Sequence, residues 1–139
     1  MAILKNGKYK ISYPSSVDYL GNVEAITVKI AREAGFDEST IDDISIAITE
    51  LFNNAIHHGN QGDMNKKVHL TYTLSGKALK ISIQDEGSGF EPEQLRDPLA
   101  PENLLADNGR GIYLVKMLMD KVHFNITDKG SEIIITKNL

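Results

Sequence analysis

A chain of 139 residues with 41% hydrophobic and 24% charged residues has the apolar content for one core and little room for a second. Its formal net charge of -4, from 19 acidic and 15 basic side chains, argues against a binder of the nucleic-acid backbone, which depends on clustered Lys and Arg. The lack of cysteine excludes disulfides, thiolate metal sites and thiol nucleophiles, and the four histidines show no zinc-like spacing.

The apolar run Ala2-Ile3-Leu4 is too short for a signal peptide and no stretch reaches membrane-spanning length, so the cytoplasm is the expected location. Tyr9, Ile11 and Tyr13 alternate with polar residues before Pro14, which predicts a short strand, and Ser15 or Ser16 can cap a helix after it. Val17, Leu20, Val23, Ile26, Val28, Ile30 and Ala31 recur largely at helical spacing up to Gly35, a C-terminal stop. A second helix is expected from about Ser39. Its apolar stripe is Ile41, Ile44, Ile48, Leu51, Phe52 and Ala55, and Gly59 ends it behind His57 and His58, residues favourable at a helix C-terminus. Glu50 and Asn54, one turn apart, fall away from that stripe on a face with Asp43 and Ala47.

Val68, Leu70, Tyr72 and Leu74 alternate, Ser75-Gly76-Lys77 turns, and Leu79, Ile81 and Ile83 alternate again, a strand, hairpin and strand. Asp85 continues the inward series of the second strand. A carboxylate on an apolar face requires a donor, from the protein or from a ligand, because unpaired burial costs about 2–7 kcal/mol or more; a purely structural domain would leave Asp85 without one. Residues 91 to 108, with Pro92, Pro98 and Pro101, read as a long mobile lid. Helical spacing returns from Gly111 to Asp120 through Ile112, Val115, Leu118 and Met119, with Met117 and Met119 assigned to helix packing. Two more strands complete the chain, Val122, Phe124 and Ile126, then Ile133 to Ile135 after a turn at Asp128-Lys129-Gly130. The order gives a two-layer α/β sandwich with helices on one face of the sheet.

Three short motifs carry chemistry. The carboxamide of Asn54 is a hard neutral ligand suited to Mg²⁺, and the carboxylate of Glu50 one turn earlier can orient a water or hydroxyl. Asp85-Glu86-Gly87-Ser88-Gly89-Phe90 sets a core-facing acceptor, of the kind an adenine exocyclic amine needs, beside a glycine turn that a flat ligand can approach. Asn108-Gly109-Arg110-Gly111-Ile112 precedes a helix, where free N–H groups and the positive dipole end suit phosphates.

In this order the motifs resemble the Bergerat-type ATPase superfamily of gyrase, the heat-shock chaperone, sensor histidine kinases and mismatch-repair proteins. Within it the pattern is most similar to bacterial anti-sigma factor serine/threonine kinases, through Glu50, Asn54 to Gly59, Asp85 to Phe90, Asp97-Pro98 and Gly109 to Leu114 running into Leu118-Met119-Asp120. The resemblance implies one ATPase domain over 1–139, a mostly antiparallel sheet and an ATP lid over 91–108. It implies that Asn54 binds Mg²⁺, Asp85 reads adenine, Gly87 and Gly89 shape the base pocket, Gly109, Arg110 and Gly111 line the phosphates, and Glu50 is the catalytic base. Asn108 stands where a further glycine is common in the family. Ser131 and Thr136 both offer the hydroxyl that often helps at adenine.

The function implied is Mg-ATP-dependent phosphorylation of an anti-sigma-factor antagonist together with sequestration of a sigma factor, by a protein of a family whose members often form dimers. An ATP-gated binding module without transfer is the alternative. A detached histidine-kinase domain would need its acceptor histidine from a partner.

Overall fold

The computed structural model describes residues 3–87, 107–127 and 130–139. The first strand, β1 (Lys8–Pro14), leads through a single 3-10 turn at Val17–Tyr19 into α1 (Leu20–Ala34). Of the two candidate caps it is Ser16 whose hydroxyl accepts from the Asp18 N–H, while Ser15 is buried and donates to the Lys66 carbonyl. Gly35 closes α1 in the left-handed region at φ 103°, a conformation costly for any residue with a Cβ. The Gly35 and Phe36 N–H groups return to the carbonyls of Arg32 and Ala31, which satisfies the helix end.

Helix α2 (Glu38–Asn54) starts one residue before its expected position because Asp37 accepts from the Thr40 N–H at 2.8 Å and so becomes the N-cap. Hydrogen bonding from the Thr40 side chain first, and from this backbone N–H second, holds the Asp37 carboxyl below its ordinary pKa. The stripe Ile41, Ile44, Ile48, Leu51, Phe52 and Ala55 is buried throughout. Each large side chain contributes about 1.5–3 kcal/mol on burial, so packing rather than propensity holds α2 in place. The helix then loosens into a π-turn at Ala55–Gly59, where the Asn60 N–H reaches the Ala55 carbonyl.

Strands β2 (Lys67–Ser75) and β3 (Ala78–Gln84) form the expected hairpin, with Ser75 opposite Ala78. Helix α3 (Asp107–Leu118), β4 (Lys121–Thr127) and β5 (Gly130–Asn138) complete the order. The five strands form one sheet, β1-β2-β3-β5-β4, with every neighbouring pair antiparallel. Val68, Leu70, Tyr72, Leu79, Ile81, Ile83, Ile133 and Ile135 bury one face of it against the helices, giving the two-layer sandwich expected. Tyr72 ties the layers together, its hydroxyl 2.7 Å from Thr27 on α1, and burial raises its pKa far above the ordinary phenol value.

Three expectations are corrected. Helix α3 begins at Asp107, so Asn108 to Gly111 lie within it rather than before it; Asp and Asn favour a helix N-terminus, and the first turn tolerates glycine better than the interior does. It also stops at Leu118, where the Lys137 ammonium caps the Leu118 carbonyl and the Asp120 N–H turns to the Thr136 carbonyl. Met119 is buried as expected, but Met117 is 66% exposed and plays no part in the packing.

Phe52 sits edge-on to Tyr13 with ring centroids 6.1 Å apart and is fully buried. Phe52→Ala should lower unfolding stability by about 3–5 kcal/mol in a urea titration. A loss under about 1 kcal/mol would mean that the layer between α2 and the sheet repacks freely.

Candidate nucleotide site

Asp85 follows β3 on its inward side and is 5% exposed. Its own N–H donates to the Ser131 carbonyl, while its Oδ1 accepts from the Gly87 N–H at 3.0 Å and the Ser131 N–H at 3.1 Å. Its Oδ2 accepts from the Ser131 hydroxyl at 2.6 Å. The carboxylate is therefore satisfied inside the protein, and the expectation that a structural domain would leave Asp85 without a partner is corrected. Sequence spacing could not reveal the two Ser131 donors, because they come from β5, 46 residues away. Of the two candidate hydroxyls, Ser131 lies at Asp85, whereas Thr136 pairs with Lys80 and Lys121 on the opposite face of the sheet.

The backbone comes unusually close here. A Cβ added at Gly59 would collide with the Asp85 carboxyl, and one at Gly87 would meet the Gly59 carbonyl. Gly59, read from the sequence as a helix stop, is thus also a contact residue that places the end of α2 against the end of β3. Gly87 is buried in that contact, while Gly89 lies outside the described residues together with the rest of 88–106, including most of the lid.

Glu50 and Asn54 lie half-buried near the other end of the same segment. Their face carries Ala47, which is fully buried, and α2 packs against α3, so it is not an open, solvated surface. A Cβ on Gly111 would stand 2.9 Å from Glu50 Oε2 and 3.7 Å from Asn54 Nδ2. Gly111 lets the first turns of α3 settle over the pair. Gly109 and Arg110 are the third and fourth residues of α3, and the first four N–H groups of a helix have no partner within it. The structure thus brings Glu50, Asn54 and Gly111 together, and separately Asp85, Gly87 and Ser131, with 54–59 linking the two groups.

Sequence reasoning missed Asn60. Its side chain is 1% exposed and bonds to Ser15, Lys67 and Glu86. The only signal was a carboxamide just beyond a helix-ending glycine, which carries no information about partners so distant in sequence. His57 and His58 are exposed in the π-turn, and among the described residues no group of three or more His, Asp or Glu side chains is placed to hold a metal.

An antiparallel sheet with helices on one face, an aspartate at the end of a central strand and a Glu/Asn pair beneath a helix N-terminus define a Bergerat-type ATP-binding fold. Residues 13–137 match the family model of the histidine kinase-like ATPase domain, and the chain belongs to that family. It is 31% identical over 133 residues to the serine-protein kinase RsbW of Bacillus licheniformis, across 91% of this chain and 82% of that protein. It is 27% identical over 136 residues to RsbW of Bacillus subtilis, across 94% and 84%. Among solved structures, the RsbU and RsbW domains of Rv1364c from Mycobacterium tuberculosis match with a TM-score of 0.71 at 21% identity over 95% of this chain. This chain spans 32% of that one. The catalytic domain of histidine kinase ThkA matches with a TM-score of 0.59 at 14% identity, over 94% of this chain and 97% of that domain. Both structures support the shared fold. No helix among the described residues is long and apolar enough to cross a membrane.

Glu86, next to Asp85, accepts from the Lys67 N–H at 2.9 Å and pairs with His69 Nε2 at 2.6 Å, and these bonds, the backbone one first, lower its pKa from 4.5. A carboxyl with a lowered folded-state pKa contributes stability above its unfolded value, and that contribution is lost as pH falls through the lowered value. Melting curves from neutral pH to about pH 3 should therefore show an acid-side loss that is shallower in Glu86→Gln than in the unaltered chain. Parallel curves would mean that the Glu86 bonds contribute nothing.

Proposed function

We propose that the chain binds Mg-ATP and transfers its terminal phosphoryl group to a serine or threonine of an anti-sigma-factor antagonist, and that it sequesters a sigma factor for which the unphosphorylated antagonist competes. Similarity to RsbW proteins, which are serine-protein kinases by name, supports this reaction class. The observation that carries it is the convergence of Glu50 and Asn54 beneath Gly111 in the opening turns of α3. A carboxamide and a carboxylate under a helix N-terminus combine hard oxygen donors with free backbone N–H groups, a donor set that fits a metal-bound triphosphate.

In this reading Asn54 holds Mg²⁺, which when bound neutralises charge on the phosphate oxygens. Gly109, Arg110 and Gly111 line the phosphates through the N-terminal turn of α3. Glu50 orients the acceptor hydroxyl and takes its proton as the oxygen attacks the terminal phosphorus and the bond to the bridging oxygen breaks, releasing ADP. Such a transfer relies mostly on positioning, which a small site can supply. At the other end Asp85 accepts from the adenine amine. The Ser131 hydroxyl, donating to Asp85, keeps lone pairs for the base, and Gly87 and Gly89 leave room for its flat ring.

Glu50→Gln should still bind Mg-ATP in calorimetry while transfer from labelled ATP to a captured partner falls by about 100-fold or more. Equal transfer would remove Glu50 from the chemistry. Asp85→Ala should abolish the binding heat, and unchanged binding would overturn the base-pocket assignment. Failure of the unaltered chain to phosphorylate any partner retained in the presence of ATP would favour the ATP-gated binding module.

A further inference from the structure

Asn60 is almost fully buried at the junction of three chain segments, and its amide orientation is set by its partners. Its Nδ2 donates to Ser15 Oγ at 2.7 Å and to the Lys67 carbonyl at 3.0 Å, while its Oδ1 accepts from the Glu86 N–H at 2.7 Å. A carbonyl can only accept and a peptide N–H can only donate, so the flipped amide would lose both main-chain bonds. The Lys67 N–H in turn donates to Glu86 Oε1 at 2.9 Å. The bonds close a ring: Asn60 to Lys67, Lys67 to Glu86, and Glu86 back to Asn60. Outside the ring, Glu86 Oε2 bonds His69 Nε2, whose other ring nitrogen lies 2.6 Å from Ser12 Oγ.

The ring acts on one peptide. The Glu86 N–H belongs to the peptide bond that follows the Asp85 Cα, and the N–H preceding that Cα is held by the Ser131 carbonyl at 3.0 Å. Both peptides flanking the Asp85 Cα are therefore anchored, one by β5 and one by the ring on β2. The Asp85 oxygens already serve Ser131 and Gly87, so the direction left for a further donor is set by how these peptides sit. A shift of a few tenths of an ångström would misdirect it.

We infer that Asn60 and Glu86 form a positioning clamp that sets the preference of the site for a purine bearing an exocyclic amine, by fixing the peptide after Asp85. The inference rests on the proposed reading of Asp85 as the adenine acceptor. Neither clamp residue touches the base; both act through Asp85. The clamp governs recognition of the base and leaves binding of the phosphates to the distant Glu50, Asn54 and α3 end.

The test is calorimetric titration of the full chain with Mg-ATP, Mg-ITP and inorganic tripolyphosphate, since inosine carries a carbonyl where adenine carries its amine. The unaltered chain should prefer ATP, and Asp85→Asn should erase that preference. Asn60→Ala should reduce the ATP-to-ITP affinity ratio about tenfold and Glu86→Ala about threefold, with tripolyphosphate affinity held within about twofold. Glu86 is on the surface, so its variant decides the matter if Asn60→Ala does not fold. Folded clamp variants that keep the full ratio, while Asp85→Asn loses it, would overturn the clamp and leave the site reading standing. A ratio unchanged in Asp85→Asn would overturn both.

Discussion

The close approach of the Gly59 backbone to the Asp85 carboxyl is the contact on which the geometry of the site depends. Any side chain at Gly59 would push the end of α2 away from the end of β3, and with it the segment that begins at Asn54. The π-turn serves this contact. With the Asn60 N–H reaching back to Ala55, the turn widens and brings Gly59 beneath the strand end. Glu50 and Asn54 on one side and Asp85 on the other thus share a single rigid reference, made of backbone.

Polar burial is complete in this region. Among the described residues no buried side-chain nitrogen or oxygen lacks a partner, and Asp85 is no exception. The carboxylate is held ready by the protein's own donors, so a ligand would join an existing network instead of rescuing a destabilised group. Preorganisation of this kind removes an ordering cost from binding. Its structural cost falls on small residues, since Gly59, Gly87 and Gly111 are positions where a methyl group would strike a neighbouring backbone or carboxyl.

Much of this was legible from residue patterns because it follows from periodicity. The stripe on α2, the hairpin of β2 and β3 and the inward direction of Asp85 need only the helical and strand repeats and the turn residues between them. The burial of the Glu50 face was not legible, because the cover comes from α3, far along the chain. Nor was the role of Gly59, since a glycine ending a helix looks the same whether or not a carboxylate lies above it. Asn60 carried even less signal. Its three partners come from the end of β1, from β2 and from the turn after β3, and nothing local marks a carboxamide that joins them. The start of α3 was misplaced for a different reason, because glycines read as a joint also fit within a first helical turn that Asp107 and Asn108 favour.

The sheet order adds a consequence for how the site comes into being. β3 pairs with β5, so the strand carrying Asp85 acquires its Ser131 donors only when the last strand of the sheet in chain order docks beside it. The hairpin of β2 and β3 closes locally and can form early, whereas the β3–β5 pairing must first close a much longer loop. The donors that complete the Asp85 network therefore depend on the pairing with the longer loop to close, while the Gly87 N–H is available from the adjoining turn.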